Sequence, residues 1–194
     1  MSNEVVTSSG ADKDPFEGIQ FDQYVEIFER RNGAKPHTEG PVPHRQVDQH
    51  ADTGMWDALY ERCFSLPHVS ERDSLVVDDP KTRALWLEQV ARTAPDDAFI
   101  AEREFAHIHT RPDSSMHLQL PLDVAAMAIS GGWAELHSIV WLGFASPASV
   151  MLFAPRDVAE LEVIWALVQE SYRFARGEPP VLRFEPKLRE GATS

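Results

Sequence analysis

The sequence predicts an α+β fold: an antiparallel sheet with helices packed on one face, plus an N-terminal helical extension. Three observations carry that prediction. Residues 102–120 form two alternating apolar–polar runs either side of a Pro-Asp turn signal, which is the pattern of a β-hairpin. Two other stretches, one opening at Asp52 or Thr53 and one at Asp157, repeat apolar residues at helical spacing. The links between elements are short, which favours antiparallel neighbours. A small barrel with helices outside it is the alternative architecture.

Taken in order, residues 1–14 are small and polar, and disorder is expected there. Asp22 is placed to cap a short helix over Gln23–Arg31 that stops at Asn32-Gly33. Residues 34–49 carry Pro36, Pro41 and Pro43 and read as an extended arm, with His37, His44 and His50 as scattered exposed side chains. Asp52 or Thr53 caps a helix through Phe64. Its Met55, Trp56, Leu59, Tyr60, Cys63 and Phe64 make one wide apolar stripe. Ser74–Val77 and Arg83–Leu87 read as strands around Asp78-Asp79-Pro80, though the second also fits a helical period. A strand is expected from near Phe99 to His109. Pro121 opens a helix over Leu122–Ser130, which Gly131-Gly132 closes. Val150–Ala154 reads as a buried strand. Asp157 caps the last helix with Glu160 three residues on, and Val158, Leu161, Ile164, Trp165, Val168 and Tyr172 give it a core face. It fades near Gly177.

The hairpin concentrates the chemistry. Alternate residues of a strand share a face. Phe105, His107 and His109 therefore lie together, and Glu104, Ala106 and Ile108 lie opposite. Past the turn at Thr110–Ser114, Ser115, His117 and Gln119 oppose the apolar Met116, Leu118 and Leu120. A register that pairs odd with odd, such as His109 opposite His117, gathers three imidazoles on one polar patch. A slip by one residue disperses them. His137, in the segment GGWAELH, is a fourth candidate.

Composition sets outer bounds. The chain has 194 residues, 43% of them hydrophobic, enough for one domain with a full core plus appendages. Its net charge of −13 repels phosphate backbones and anionic membranes, so neither nucleic acid nor membrane is expected as a partner. A lone cysteine, Cys63, excludes an internal disulfide and fits a reducing cytoplasm. The first residues lack the apolar core of a signal peptide, and no apolar run approaches the ~18 residues of a membrane span. Fingerprints of nucleotide binding, of α/β-hydrolases and of thioredoxins are absent from the sequence.

Four histidines within this stretch admit three readings. Neutral imidazoles bind Zn, Fe, Cu or Ni. Without a metal, one imidazole takes a proton while others stabilise an oxyanion. As a third possibility, all four are hydrogen-bonded structural groups. Spacing alone leaves the three open.

The segments REFAHIH, SMHLQLP, GGWAELH and MLFAPRD, followed by a Glu-rich apolar helix, together resemble the luciferase domain of fungal luciferases, which small bacterial proteins of unassigned activity share. The resemblance spans roughly residues 65–176. It implies residues 51–178 as the luciferase-like domain, between an N-terminal part (1–50) and a C-terminal tail (179–194). It also implies an oxygen-dependent oxidation of a small enolic, phenolic or pyrone-like metabolite, without flavin or nicotinamide. His107, His109, His117 and His137 are then the base and oxyanion clamp, or the ligands of a divalent transition metal. Trp133, Arg156 and Gln119 are the candidate substrate contacts, with Glu135 a weaker acid. A metal-dependent hydrolase or isomerase, or a non-catalytic binding protein, is the alternative use of the same pocket.

Overall fold

The computed structural model describes residues 30–89 and 94–182. The expected helix over Gln23–Arg31 and the tail beyond Leu182 lie outside the described residues, apart from Arg30 and Arg31. The described part has two short strands in the arm, β1 (Thr38–Glu39) and β2 (Arg45–Gln46), then helix α1 (Thr53–Phe64). Strands β3 (Val69–Asp73), β4 (Arg83–Leu87), β5 (Glu104–Ile108) and β6 (Met116–Gln119) follow. Helix α2 (Leu122–Ser130), strands β7 (Ala134–Leu136) and β8 (Ser149–Leu152), and helix α3 (Val158–Ala175) complete the order. The main sheet has six strands in the order β3-β4-β5-β6-β8-β7, all antiparallel. Among the described residues, no helix is long and apolar enough to cross a membrane.

Local chemistry explains the helix ends. The Asp52 carboxylate accepts the Met55 N–H and starts α1, and the Asp157 carboxylate accepts the Glu160 N–H and starts α3. Gly132 follows α2 at a positive φ of 78°, which lets the chain reverse into β7. Leu59 and Cys63 of α1, Val124 to Ala128 of α2 and Leu161, Ile164, Leu167 and Val168 of α3 close over one face of the sheet. Ala106, Ile108, Met116 and Leu118 rise from the sheet to meet them. Val158, expected on the core face of α3, is 62% exposed.

One strand expectation holds over its alternative and two change. Arg83–Leu87 is a strand, not a helix, because it pairs on both sides. Ser74–Val77 is not a strand: its Leu75 and Val76 are exposed, and the Leu75 N–H goes to the Glu104 carboxylate instead of a neighbouring strand. The outer strand is the polar run Val69–Asp73, whose charges suit a sheet edge. The strand expected from Phe99 starts at Glu104, since a tight turn at Ala101–Glu104 interrupts it.

The largest departure is a β-bulge. β4 and β5 pair Leu85 with Ala106 but Trp86 with Glu104, so Phe105 is an extra residue. The bulge turns Phe105 into the helix-side core against Tyr172 and moves Glu104 to the face of His107. Simple alternation had these two reversed. Phe105 is fully buried, so Phe105→Ala is expected to cost about 3–5 kcal/mol by leaving a cavity. A shift of the denaturation midpoint equivalent to less than about 1 kcal/mol would show that the bulge is not packed as described.

Candidate functional site

The sheet's second face carries the polar residues. β5 and β6 pair His107 with His117, a two-residue offset from His109 opposite His117, so the odd-numbered residues still share a face. His109 follows opposite Ser115, through the His109 N–H to Ser115 carbonyl bond of 2.9 Å. His137, just past β7, reaches the same face and lies 4.1 Å from His117, ring centre to ring centre. The His117 ring also meets His107 at 5.0 Å and His109 at 4.8 Å.

A fifth imidazole comes from the arm. β1 and β2 fold back over this face, burying His44, which stacks on His117 at 5.2 Å and meets His137 edge-on at 4.9 Å. The sequence reading left His44 among scattered exposed histidines. Its neighbours Pro41 and Pro43 gave no sign of what the arm packs against. Gln46 and Arg31 anchor the arm: the Ala154 N–H donates to Gln46 Oε1 at 2.8 Å, and Arg31 donates to the Ala154 carbonyl and to Glu160.

Three carboxylates orient the imidazoles. His107 Nδ1 donates to Glu104 Oε1 at 2.8 Å, His109 Nδ1 to Asp113 Oδ2 at 2.6 Å, and His44 Nε2 to Glu135 Oε1 at 2.8 Å. With its Nδ1 proton committed, a neutral His107 accepts at Nε2, and His117 Nδ1 donates to it at 3.0 Å. His117 Nε2 is then a lone pair, buried and without a hydrogen-bond partner among the described residues. A buried, unsatisfied nitrogen is costly unless a ligand uses it.

Burial depresses the pKa of His107, with Glu104 opposing part of the effect. It depresses His117 further, with the neighbouring histidines adding to it, and it lowers His137 to about 3. These three rings are therefore neutral near pH 7. Burial alone raises Glu135, but hydrogen bonds from His44, Lys35 and Thr38 bring it down to about 2. Burial likewise opposes ionisation of Asp113, and His109, Ser115 and the Gln46 amide together hold it below its usual value.

Glu104 is completely buried and accepts from Ser74 Oγ, the Leu75 N–H and His107. Glu104→Ala strands these donors and is expected to cost about 3–5 kcal/mol, whereas Glu104→Gln, which keeps an acceptor, costs less. Equal midpoints for the two variants in urea would count against this.

Beside the cluster lies a cavity of about 950 Å³. His44, His107, His109, His117, His137 and Gln119 line it, and Phe99, Ile100, Ile139 and Phe144 form apolar wall. Gln119 is fixed there by Ser149 Oγ, which donates to its Oε1 at 3.0 Å. Trp133 and Arg156, expected as substrate contacts, lie elsewhere. Trp133 packs in the helix-side core, where its ring approaches within 2.8 Å the point a Cβ on Gly131 would occupy. Arg156 pairs with Glu160 and donates to the Asn32 carbonyl, tying the arm to α3.

The family model of the Luciferase domain matches residues 102–171. A luciferase of Armillaria gallica is 26% identical over 174 residues, covering 77% of this chain and 61% of that protein. Luciferases of Armillaria mellea and Neonothopanus nambi are 27% and 29% identical, covering 67% and 66% of this chain but 44% and 43% of their own lengths. The chain thus spans about two-fifths to three-fifths of the length of these relatives. No solved structure matches significantly. The matched segment holds four of the five clustered imidazoles together with Glu104, Asp113 and Glu135, so most of the site lies in the part of the chain that is similar to the luciferase domain.

Proposed function

We propose that the chain catalyses the oxygen-dependent oxidation of a small enolic, phenolic or pyrone-like metabolite in this pocket. The observation that supports it is the pairing of an apolar-walled cavity with a floor of five histidines, of which His44, His107 and His109 are oriented by carboxylates and His107, His117 and His137 are held neutral by burial. Apolar walls suit a flat, conjugated substrate, and neutral imidazoles suit an acidic hydroxyl.

His44 is the proton acceptor. Its Nε2–H is committed to Glu135, and its Nδ1 receives only a long 3.4 Å contact from the Ser138 N–H. A carboxylate behind an imidazole fixes the tautomer and stabilises the imidazolium that forms. His44 takes the hydroxyl proton, and the enolate carbon gives an electron pair to dioxygen as a C–O bond forms. The proton then returns to the outer oxygen, so substrate plus dioxygen yields a hydroperoxide with atoms and electrons balanced. The Gln119 side-chain amide and His137, whose Nδ1 accepts the Ile139 N–H and whose proton is therefore on Nε2, donate to the enolate oxygen. The relatives are named luciferases; light emission is not part of this proposal.

An oxygen electrode tests it with a panel of hydroxypyrones and hydroxycinnamate-like acids. Oxygen uptake proportional to protein concentration is expected for at least one compound. Binding across the panel without any uptake would replace the oxidation with a binding role.

A further inference from the structure

We propose that His107, His109 and His117 hold a first-row divalent transition cation. This goes beyond the oxidation proposed above and is tested without substrate or oxygen. His107 lies on β5, His109 one residue past its end and His117 on the adjacent β6, and all are buried. One nitrogen from each lies within 4.8 Å of the others. His107 Nε2 and His117 Nδ1 stand 3.0 Å apart. Two nitrogens each about 2.1 Å from one ion, at an angle between about 90° and the tetrahedral value, are about 3.0–3.4 Å apart. Here a shared proton holds two imidazoles at the spacing an ion would impose, and a bound ion displaces that proton from His117 Nδ1 to its Nε2.

The carboxylates add an independent reason. Histidines that ligate metals donate their second ring N–H to a carboxylate, a carbonyl or water, which fixes the tautomer and raises ligand basicity. Glu104 does this for His107, and Asp113 for His109, leaving the Nε2 atom of each ring for the ion. Both carboxylates are held in turn, Glu104 by Ser74 and Leu75, and Asp113 by Ser115 and Gln46. His44, His117 and His137 form a second trio at similar spacing. There, His44 Nδ1 and His137 Nδ1 accept backbone N–H groups at 3.4 and 3.3 Å, and only His44 has a carboxylate behind it. The first trio is the better ligand set. Three imidazoles beside an open cavity suit zinc, iron(II), cobalt(II) or copper(II), with positions left for a small ligand. His117 Nε2, without a partner in the protein, is left for a ligand in that cavity.

The test uses the full chain without a histidine tag. It is stripped with chelator and titrated with Co²⁺, then Zn²⁺, while visible absorption and bound metal are measured. About one ion per chain is expected, with cobalt bands that zinc abolishes. Circular dichroism confirms that each variant is folded. His109→Ala should lose most of the bound ion, whereas Asp113→Asn and Glu104→Gln should keep the ligands but weaken affinity by about 10–100-fold. His37→Ala, on the exposed arm, should bind as the unchanged protein does. Retention of the ion in folded His109→Ala overturns the assignment. So does loss of the ion in His44→Ala or His137→Ala alone, or failure of the unchanged protein to bind.

Discussion

Replacing His117 by Ala is expected to lower oxygen-dependent turnover by about 10²–10⁴-fold while the protein stays folded. His117 is the one ring that touches the other four histidines of the cluster or hydrogen-bonds to them. It belongs to both trios of potential ligands and presents the partnerless nitrogen. Removing it breaks the hydrogen bond that sets the acceptor nitrogen of His107 and opens the stack that positions His44. Folding should survive, because the helix-side core lies on the opposite face, where Met116 and Leu118 flank His117 in sequence. The check is oxygen uptake alongside circular dichroism for His117→Ala and the closer mimic His117→Asn. Turnover within about threefold of the unchanged protein, far short of what a reacting imidazole contributes, would remove His117 from the chemistry.

Stability of the metal-stripped protein is expected to fall steeply as pH drops below about 6.5, the value at which histidines in the unfolded chain take up protons. In the folded protein, burial keeps His137 neutral down to about 3 and depresses His107 and His117 as well. Between the unfolded and folded values the unfolded chain holds more protons, so acid favours unfolding. Each such histidine contributes a slope of up to about 1.4 kcal/mol per pH unit. Glu135, held at about 2, adds a loss of the same sign in a lower window, as pH falls from the ordinary carboxylate range towards that value. Urea denaturation at pH 8, 7, 6 and 5 measures the slope. His137→Asn should flatten it by about one histidine's share. A constant midpoint from pH 7 to 5 would mean that the cluster is hydrated and already protonated when folded.

Much of the fold was legible because its signals are local. Asp52 and Asp157 announce helix starts through the backbone N–H groups two or three residues on, and α1 and α2 run over the residues their patterns predicted. Period-2 alternation placed His107, His109 and His117 on one face, because a two-residue offset in register preserves parity and only an odd slip destroys it. The edge strands β3 and β7 were not legible: one is polar and the other three residues long, and their neighbours supply their order.

The composition of the site was decided in three dimensions. Sequence determined that the hairpin would present histidines on the face opposite Met116, Leu118 and Leu120, since burying those apolar side chains leaves the imidazoles no other side. Tertiary structure alone chose their partners. The extra residue Phe105 follows from fitting β5 to β4, and that bulge brings Glu104 under His107 against simple alternation. His44 meets the cluster only because the arm folds back, with the Gln46 N–H donating to Asp113 and Gln46 Oε1 accepting from Ala154. Hydrogen bonds between residues 67 and 108 positions apart leave no periodicity in the chain, so their geometry exists only once the sheet has formed.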